Sequence, residues 1–265
     1  MTFVPSVTSM PQRPLRSRRS NLAVPGSSTK MIDKAKGLGA DQVFLDIEDA
    51  VAPLAKPDAR KNIVAALNEG GWGDTIRSVR VNDWTTQWTY ADVVEVVEGA
   101  GANLDAIMLP KVQTREQVVA LDLLLTQIEK ASGLEVGRIG IEAQIENALG
   151  LTNVNAIAAA SQRVETIIFG PADFMASINM KSLVVGEQPS GYDVGDAYHH
   201  ILMSILHGGT RLRQAGHRRT VPADQGHRGV PPGGRAVGGA WVRRQVGPAS
   251  RSARTRERGL QPSPE

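Results

Sequence analysis

The chain has 265 residues, no cysteine and a formal net charge of +3. The absence of cysteine excludes disulfides and thiolate chemistry and fits a reducing, cytoplasmic setting. No apolar run approaches the roughly 18 residues that span a bilayer, and the Arg-bearing first residues lack the apolar stretch of a secretory signal, so neither a membrane nor an export role is expected.

Residues 1–17 read as a flexible N-terminus. "RRSNLAVPGSS" then gives a short apolar strand ending at Pro25-Gly26, and "STKMIDKAKGLGA" a helix capped by Ser27 or Ser28. "DQVFLDIEDAV" is a buried strand followed by an acidic loop. "KPDARKNIVAALNEGG" is an amphipathic helix closed by Gly70-Gly71, and "TIRSVRVND" the third strand. "TYADVVEVVEGAGA" is a helix, "DAIMLPKV" the fourth strand, and "TREQVVALDLLLTQIEKASG" a long Thr-capped helix. "GRIGIEAQIE" is the fifth strand, "NALGLTNVNAIAAAS" one helix, "VETIIFGPADF" the sixth strand, and "DVGDAYHHILMSILHGG" a last amphipathic helix. Strict alternation implies parallel strands with right-handed crossovers, and the strands read as apolar on both faces.

Both a doubly wound sheet and a TIM (β/α)8 barrel fit that alternation. The polar residues favour the barrel. Asp46, Glu48, Asp49, Arg80, Lys111, Glu146 and Asp173 stand at or just beyond the C-terminal ends of five strands, and converge only if the sheet rolls up. The expected fold is an incomplete barrel of about six β-α units over residues 18–207. No G-x-G-x-x-G follows a strand, so a dinucleotide site has no support.

Glu146 and Asp173 end neighbouring strands and form a hard oxygen site suited to Mg²⁺. Arg80 offers a planar fork for a substrate carboxylate. The acids of "LDIED", Glu48 and Asp49 among them, could hold a metal-bound water or orient Arg80. A single acid at a strand end more often caps a helix, and Lys34 on a helix is usually just solvated; the weight lies in the convergence. His199 and His200 have no third ligand nearby and read as surface or packing. Trp72, Trp84 and Trp88 read as packing residues near loops.

The stretches "LAVPGSSTKMIDKA", "VFLDIEDAVAPLAKPDAR", "SVRVND", "IMLPKV", "IEAQIENALGL" and "IFGPADFMASI" together resemble the citrate lyase β-subunit-like (HpcH/HpaI aldolase) family, in its malyl-CoA/β-methylmalyl-CoA lyase branch. The resemblance implies a Mg²⁺-dependent carbon–carbon lyase on a TIM barrel, with Mn²⁺ as a substitute ion. Carried over, Glu146 and Asp173 are the metal ligands and Arg80 grips the carboxylate of a glyoxylate-type keto acid. Lys34 approaches the phosphates of coenzyme A, and the main chain at Ala172 and Asp173 contacts the acyl-CoA substrate. The resemblance also implies a homo-oligomer. Two positions depart from the branch: Ala23 stands where an aromatic is usual, and Ser28 where an arginine is usual. Citramalyl-CoA or citryl-CoA cleavage, and a CoA-independent metal aldolase, are the competing activities.

Residues 208–265 differ from all this. They carry 12 Arg, no Lys and three acids, whereas the preceding 207 residues carry 18 basic against 24 acidic groups. A basic tail of this kind admits a nucleic-acid-binding reading, but it has no aromatic interleaving, and its composition predicts disorder. Written as codons and read one base later, Gly216 to Gly229 becomes "AIDGPYLQIKDTE", a strand-like segment with the "IDGP" that the family carries there. Gly239 to Ser250 becomes "LGFDGKWVLHP" in the same way, resembling the family's eighth strand. The tail is therefore expected to be a shifted reading frame beginning near His207, with no nucleic-acid partner, and the chain as written is expected to be unstable and inactive.

Overall fold

Gln42 and Glu142 lie on strands that are not neighbours, yet Gln42 Nε2 donates to Glu142 Oε2 across 2.7 Å. The sheet between them must therefore be rolled. The computed structural model describes residues 16–180, 184, 185, 191 and 196–216, with side chains described to residue 209.

Six strands form one sheet in sequential order: β1 (Asn21–Pro25), β2 (Gln42–Asp46), β3 (Ile76–Arg80), β4 (Ala106–Leu109), β5 (Gly140–Ile145) and β6 (Val164–Phe169). Every pairing is parallel. A doubly wound sheet reverses its strand order at a switch point. Strictly sequential order with crossovers of one hand instead puts all the helices on one face, and the sheet then curls away from them, as a barrel wall does. The connecting helices are α1 (Thr29–Lys36), α2 (Lys56–Glu69), α3 (Thr89–Ala100), α4 (Arg115–Ala131), α5 (Ala148–Thr152), α6 (Val154–Ala158), α7 (Pro171–Ser177) and α8 (His199–Gly216).

The register separates the two faces of the sheet. Val43, Leu45, Val79, Ile107, Ile141, Ala143 and Ile167 face the helices and belong to the buried apolar core. The in-register alternates on the concave face include Gln42, Asp46, Ser78, Arg80, Glu142 and Gln144, all buried and all polar. The expectation of strands apolar on both faces is thus corrected. The apolar core lies between sheet and helices, and the inside of the roll mixes Phe44, Ile76, Ala106 and Met108 with these polar groups, among which Gln42 bonds both Ser78 and Glu142.

At the N-terminal end of the strands the roll is tied shut. Arg18 reaches Glu142 at 3.1 Å and also pairs with Glu165 at the start of β6. A residue preceding β1 is thereby joined to β5 and β6 across the open side of the roll. Among the described residues β1 and β6 are each paired on one side only, and Ala23, Glu165, Thr166 and Ile168 on these strands keep more exposure than the middle strands do.

Local chemistry sets the element ends. Ser28 Oγ accepts from the Met31 N–H and caps α1, and Thr114 with Gln117 forms a capping box on α4. Gly70 ends α2 at φ 80°. The single helix expected over "NALGLTNVNAIAAAS" is two. Asn153 leaves helical geometry at φ −94°, ψ 5°, and its side chain donates to the Gln113 carbonyl at 2.8 Å. α8 continues past His207 to Gly216, with His199 and His200 exposed on its first turn; the rest of the basic tail lies outside the described residues. Trp72 and Trp84 are packing residues whose indole N–H groups bond to the Ala66 and Gln117 carbonyls. Among the described residues, no helix is long and apolar enough to cross a membrane.

Candidate active site

β2 and β3 end side by side, with Asp46 in register with Arg80. The Asp46 carboxylate accepts the backbone N–H groups of Glu48 and Ala50 at 2.9 and 3.1 Å, which folds the acidic loop back over the strand end. It also takes Arg80 bidentately, with Nε at 2.8 Å and Nη2 at 2.6 Å. One edge of the guanidinium is therefore committed to Asp46 through Nε and Nη2, and its Nη1 faces Glu48. The Phe44 ring lies 5.4 Å from the guanidinium carbon. Burial works against the charge on Arg80, but Asp46, Glu48 and Glu146 outweigh it and raise its pKa.

Glu48 is 5% exposed. Its Oε1 receives Lys111 Nζ at 2.6 Å, and its Oε2 lies 3.2 Å from Arg80 Nη1 without hydrogen-bond geometry. Burial raises its carboxyl against the pull of those two cations. Lys111 Nζ also stands 3.6 Å from Asp49 and 3.5 Å from Asp173. The Lys111 backbone has φ 53°, a conformation that side-chain-bearing residues seldom adopt. In it, the Lys111 N–H donates to Glu146 Oε2 at 2.9 Å.

Glu146 is 4% exposed. Burial, then Glu48 and Asp173, push its carboxyl up to about 8 against the opposing Arg80 and the Lys111 N–H. Gly170, after β6, makes its place possible. A Cβ there would sit 2.2 Å from Glu146 Oε1 and 2.5 Å from its Cγ. Asp173 lies in the first turn of α7. These groups surround a cleft of about 360 Å³ lined by Ala23, Phe44, Asp46, Asp49, Arg80, Glu146, Ala172 and Asp173, among others.

The structure thus brings the rim residues expected from five strand ends into one place. Lys34 is not among them. It is exposed in the last turn of α1 and does not line the cleft. Ser28 is occupied as a helix cap, and Ala23 leaves open space on the cleft wall.

A second set of residues escaped sequence reading. The Lys56 ammonium is buried and donates to the Ile47 and Glu48 carbonyls and to Asn82 Oδ1, at 2.7, 2.8 and 2.8 Å. Burial lowers its pKa, against nearby acids. Asn82 is in turn held by Asp92, and Asp92 by Arg60. This chain of contacts supports the acidic loop from behind. Its signal was present: Lys56 and Arg60 share the face of α2 that also buries Ala59 and Ile63.

Five carboxylates, Asp46, Glu48, Asp49, Glu146 and Asp173, meet two cations, Arg80 and Lys111, across this rim. The excess of negative charge in a partly buried place suits a divalent cation. Among the described residues no group of three or more His, Cys, Asp or Glu is placed to share one ion. Of the carboxylates on the cleft, Asp46 is committed to Arg80, and Asp49, Glu146 and Asp173 are left, of which Glu146 and Asp173 are the expected pair, with water or ligand to complete the shell. That is how Mg²⁺ is commonly held.

A sequential parallel sheet rolled round a partly polar interior, with its charged groups gathered at the C-terminal rim, defines a scaffold of the (β/α)-barrel class. The chain belongs to the HpcH/HpaI aldolase/citrate lyase family, whose sequence profile matches residues 19–208. It is 41% identical over 187 residues to the L-malyl-CoA/β-methylmalyl-CoA lyase of Rhodobacter capsulatus, a match covering 71% of this chain and 58% of that enzyme. The citrate lyase β subunit of Escherichia coli K12 is 36% identical over 170 residues, covering 64% of this chain and 55% of the subunit. Among solved structures, protein CitE of Mycobacterium tuberculosis in complex with magnesium and pyruvate is 25% identical. It superposes with a TM-score of 0.57 over 75% of this chain and 72% of its own. The chain thus spans between half and two thirds of the length of the curated relatives it matches.

Proposed function

We propose that this chain carries the metal and keto-acid half of a Mg²⁺-dependent carbon–carbon lyase. Its substrates would be 3-hydroxyacyl-CoA thioesters such as malyl-CoA or β-methylmalyl-CoA, cleaved to glyoxylate and acetyl-CoA or propionyl-CoA. The observation that carries the reading is the meeting of Glu146, Asp173 and Arg80 on one cleft. The 41% identity to a lyase of that specificity supports the substrate class, and the magnesium and pyruvate held by protein CitE support the ion and the keto-acid end.

In this reading Glu146 and Asp173 hold Mg²⁺, with Mn²⁺ able to replace it. The ion supplies Lewis-acid stabilisation of charge developing on the substrate oxygen. Asp46 fixes the guanidinium, so Arg80 would meet the substrate carboxylate without first paying to be ordered. Cleavage removes the proton of the 3-hydroxyl and breaks the adjacent C–C bond. The bonding pair passes to the thioester α-carbon, which is then protonated. Of the two loop acids, Glu48 is held by Lys111 and Arg80, whereas Asp49 is more than half exposed on the cleft wall, with Lys111 as a looser partner at 3.6 Å, and is the better placed of the two to meet a substrate proton. Lys34, on its exposed helical turn, would reach only the distant phosphates of coenzyme A.

The reading extends to the tail. The family profile ends at residue 208, and the one-base-shifted strand segments follow from Gly216 and from Gly239, so the natural gene product would continue in the other frame as a full-length cytoplasmic homo-oligomer. An intact mass of native protein equal to 28.4 kDa would contradict the shift as an error of sequencing. Activity is tested by glyoxylate release from malyl-CoA in the frame-restored protein. Release should require Mg²⁺ and the thioester and should vanish in Glu146→Gln; full release by that variant would remove the metal role of Glu146. Citryl-CoA is the competing substrate, carried by the 36% identity to the citrate lyase β subunit, and parallel assay of the two thioesters separates them.

A further inference from the structure

Lys111 touches both of the proposed metal carboxylates with different parts of itself. Its backbone N–H holds Glu146 Oε2 at 2.9 Å. Its ammonium lies 3.5 Å from Asp173, while also bonding Glu48 at 2.6 Å and standing 3.6 Å from Asp49. Arg80, the other cation of the rim, is buried and bound on one edge to Asp46. Lys111 differs: its side chain is one-third exposed, at 33%, and a lysine stem has four rotatable carbons and a compact charge at its end. It has room to move, and its contacts with Glu48 and Asp49 give it somewhere to go.

We infer that Lys111 is a tethered counter-ion that competes with the divalent cation for Asp173, while its backbone keeps Glu146 in place, so that this one residue sets the metal affinity of the rim. The inference rests on the reading of Glu146 and Asp173 as the metal carboxylates. Without metal, the ammonium offsets part of the repulsion among Glu48, Asp49 and Asp173. An ion arriving at Asp173 repels it and leaves it to the two loop acids. The left-handed backbone at Lys111 lets these roles separate. The N–H that orders Glu146 belongs to the fixed main chain, and the charge that yields belongs to the mobile end.

The test is calorimetric titration of Mg²⁺ into the frame-restored protein and into its Lys111→Met and Lys111→Arg variants, at one fixed ionic strength. Both variants keep the backbone donor. Lys111→Met should bind Mg²⁺ roughly tenfold more tightly and Lys111→Arg within about twofold of the unsubstituted chain, since charge and not packing is at issue. Added Mg²⁺ should also raise the melting midpoint of Lys111→Met more than that of the unsubstituted chain. Binding by the unsubstituted chain with equal or weaker binding by Lys111→Met overturns the competition and leaves the metal reading standing. Absence of binding in both overturns the metal reading and this inference together. Should Lys111→Met fold only when Mg²⁺ is present, the ion has replaced the ammonium, as inferred; should it fold in neither condition, the role of Lys111 is structural and the inference falls.

Discussion

Gly170 has no side chain, and Glu146 occupies the space where one would be. In Gly170→Ala the new methyl group would overlap both the carboxylate and the Cγ of Glu146, so the whole head of that side chain must leave its place. Overpacking of this kind costs roughly 1–3 kcal/mol. The expected result is a folded protein, modestly less stable to urea, whose Mg²⁺ affinity is lost or nearly so in calorimetry. Unchanged affinity would mean that the position of Glu146 does not matter to the ion. The acids and Arg80 themselves were legible in the sequence because they punctuate apolar runs at strand ends. Gly170 was not, since a glycine in "GPADF" looks like an ordinary strand exit. The left-handed backbone of Lys111 was equally hidden, because nothing in "LPKV" announces a positive φ.

At the scale of elements, Asp105 joins β3 to the start of β4. Its carboxylate accepts the Arg77 N–H and Nε at 2.8 and 2.9 Å, and Arg16 Nη2 at 2.8 Å. Burial works to raise this group, but the Arg77 and Arg16 bonds outweigh it and hold its pKa below the usual value. A carboxyl depressed in the folded state adds stability above its unfolded pKa, and that stability is lost as pH falls through the folded value. Asp105→Asn should therefore be less stable near pH 7 by about 1–3 kcal/mol, the range for a hydrogen-bonded charge. The deficit should shrink as the pH drops below about 4, the region where free carboxyls protonate. Urea unfolding at pH 7 and pH 3 checks this, and a deficit that is the same at both would contradict it. All six strands were readable from their apolar runs and flanking glycines. The polar groups inside the roll were not: Gln42, Ser78, Glu142 and Gln144 alternate with apolar residues that face the helices, and strands this short let the apolar half dominate the pattern. Asn153 broke the expected helix through a bond to Gln113 in a different connection, a tertiary contact that local spacing does not contain.

For the whole molecule, the roll of six parallel strands leaves β1 and β6 paired on one side only among the described residues. Arg18 bridges the open side at one end, through Glu142 and Glu165. Unpaired edges invite association with other chains. Restoring the shifted frame after Leu206 should supply the strands that cover both edges. The restored protein should then melt at least about 5 °C higher than the chain as written and sediment as one discrete oligomer. Equal melting temperatures and sedimentation would contradict the shifted-frame reading. The barrel class was legible because polar residues stood at the ends of so many strands. The change of composition near His207 was equally legible, since the residues after it carry 12 Arg and no Lys. What sits against the open edges was not, since the residues after Gly216 lie outside the described ones.

The central claim is that Glu146 and Asp173 share one divalent ion across from Arg80. Crystals grown with Mn²⁺ and measured for anomalous scattering test it most directly. A single strong peak is predicted in the cleft, about 2.0–2.2 Å from an oxygen of each carboxylate, and it should be missing from crystals of Glu146→Gln. A peak elsewhere, or one that survives that substitution at full height, would contradict the account.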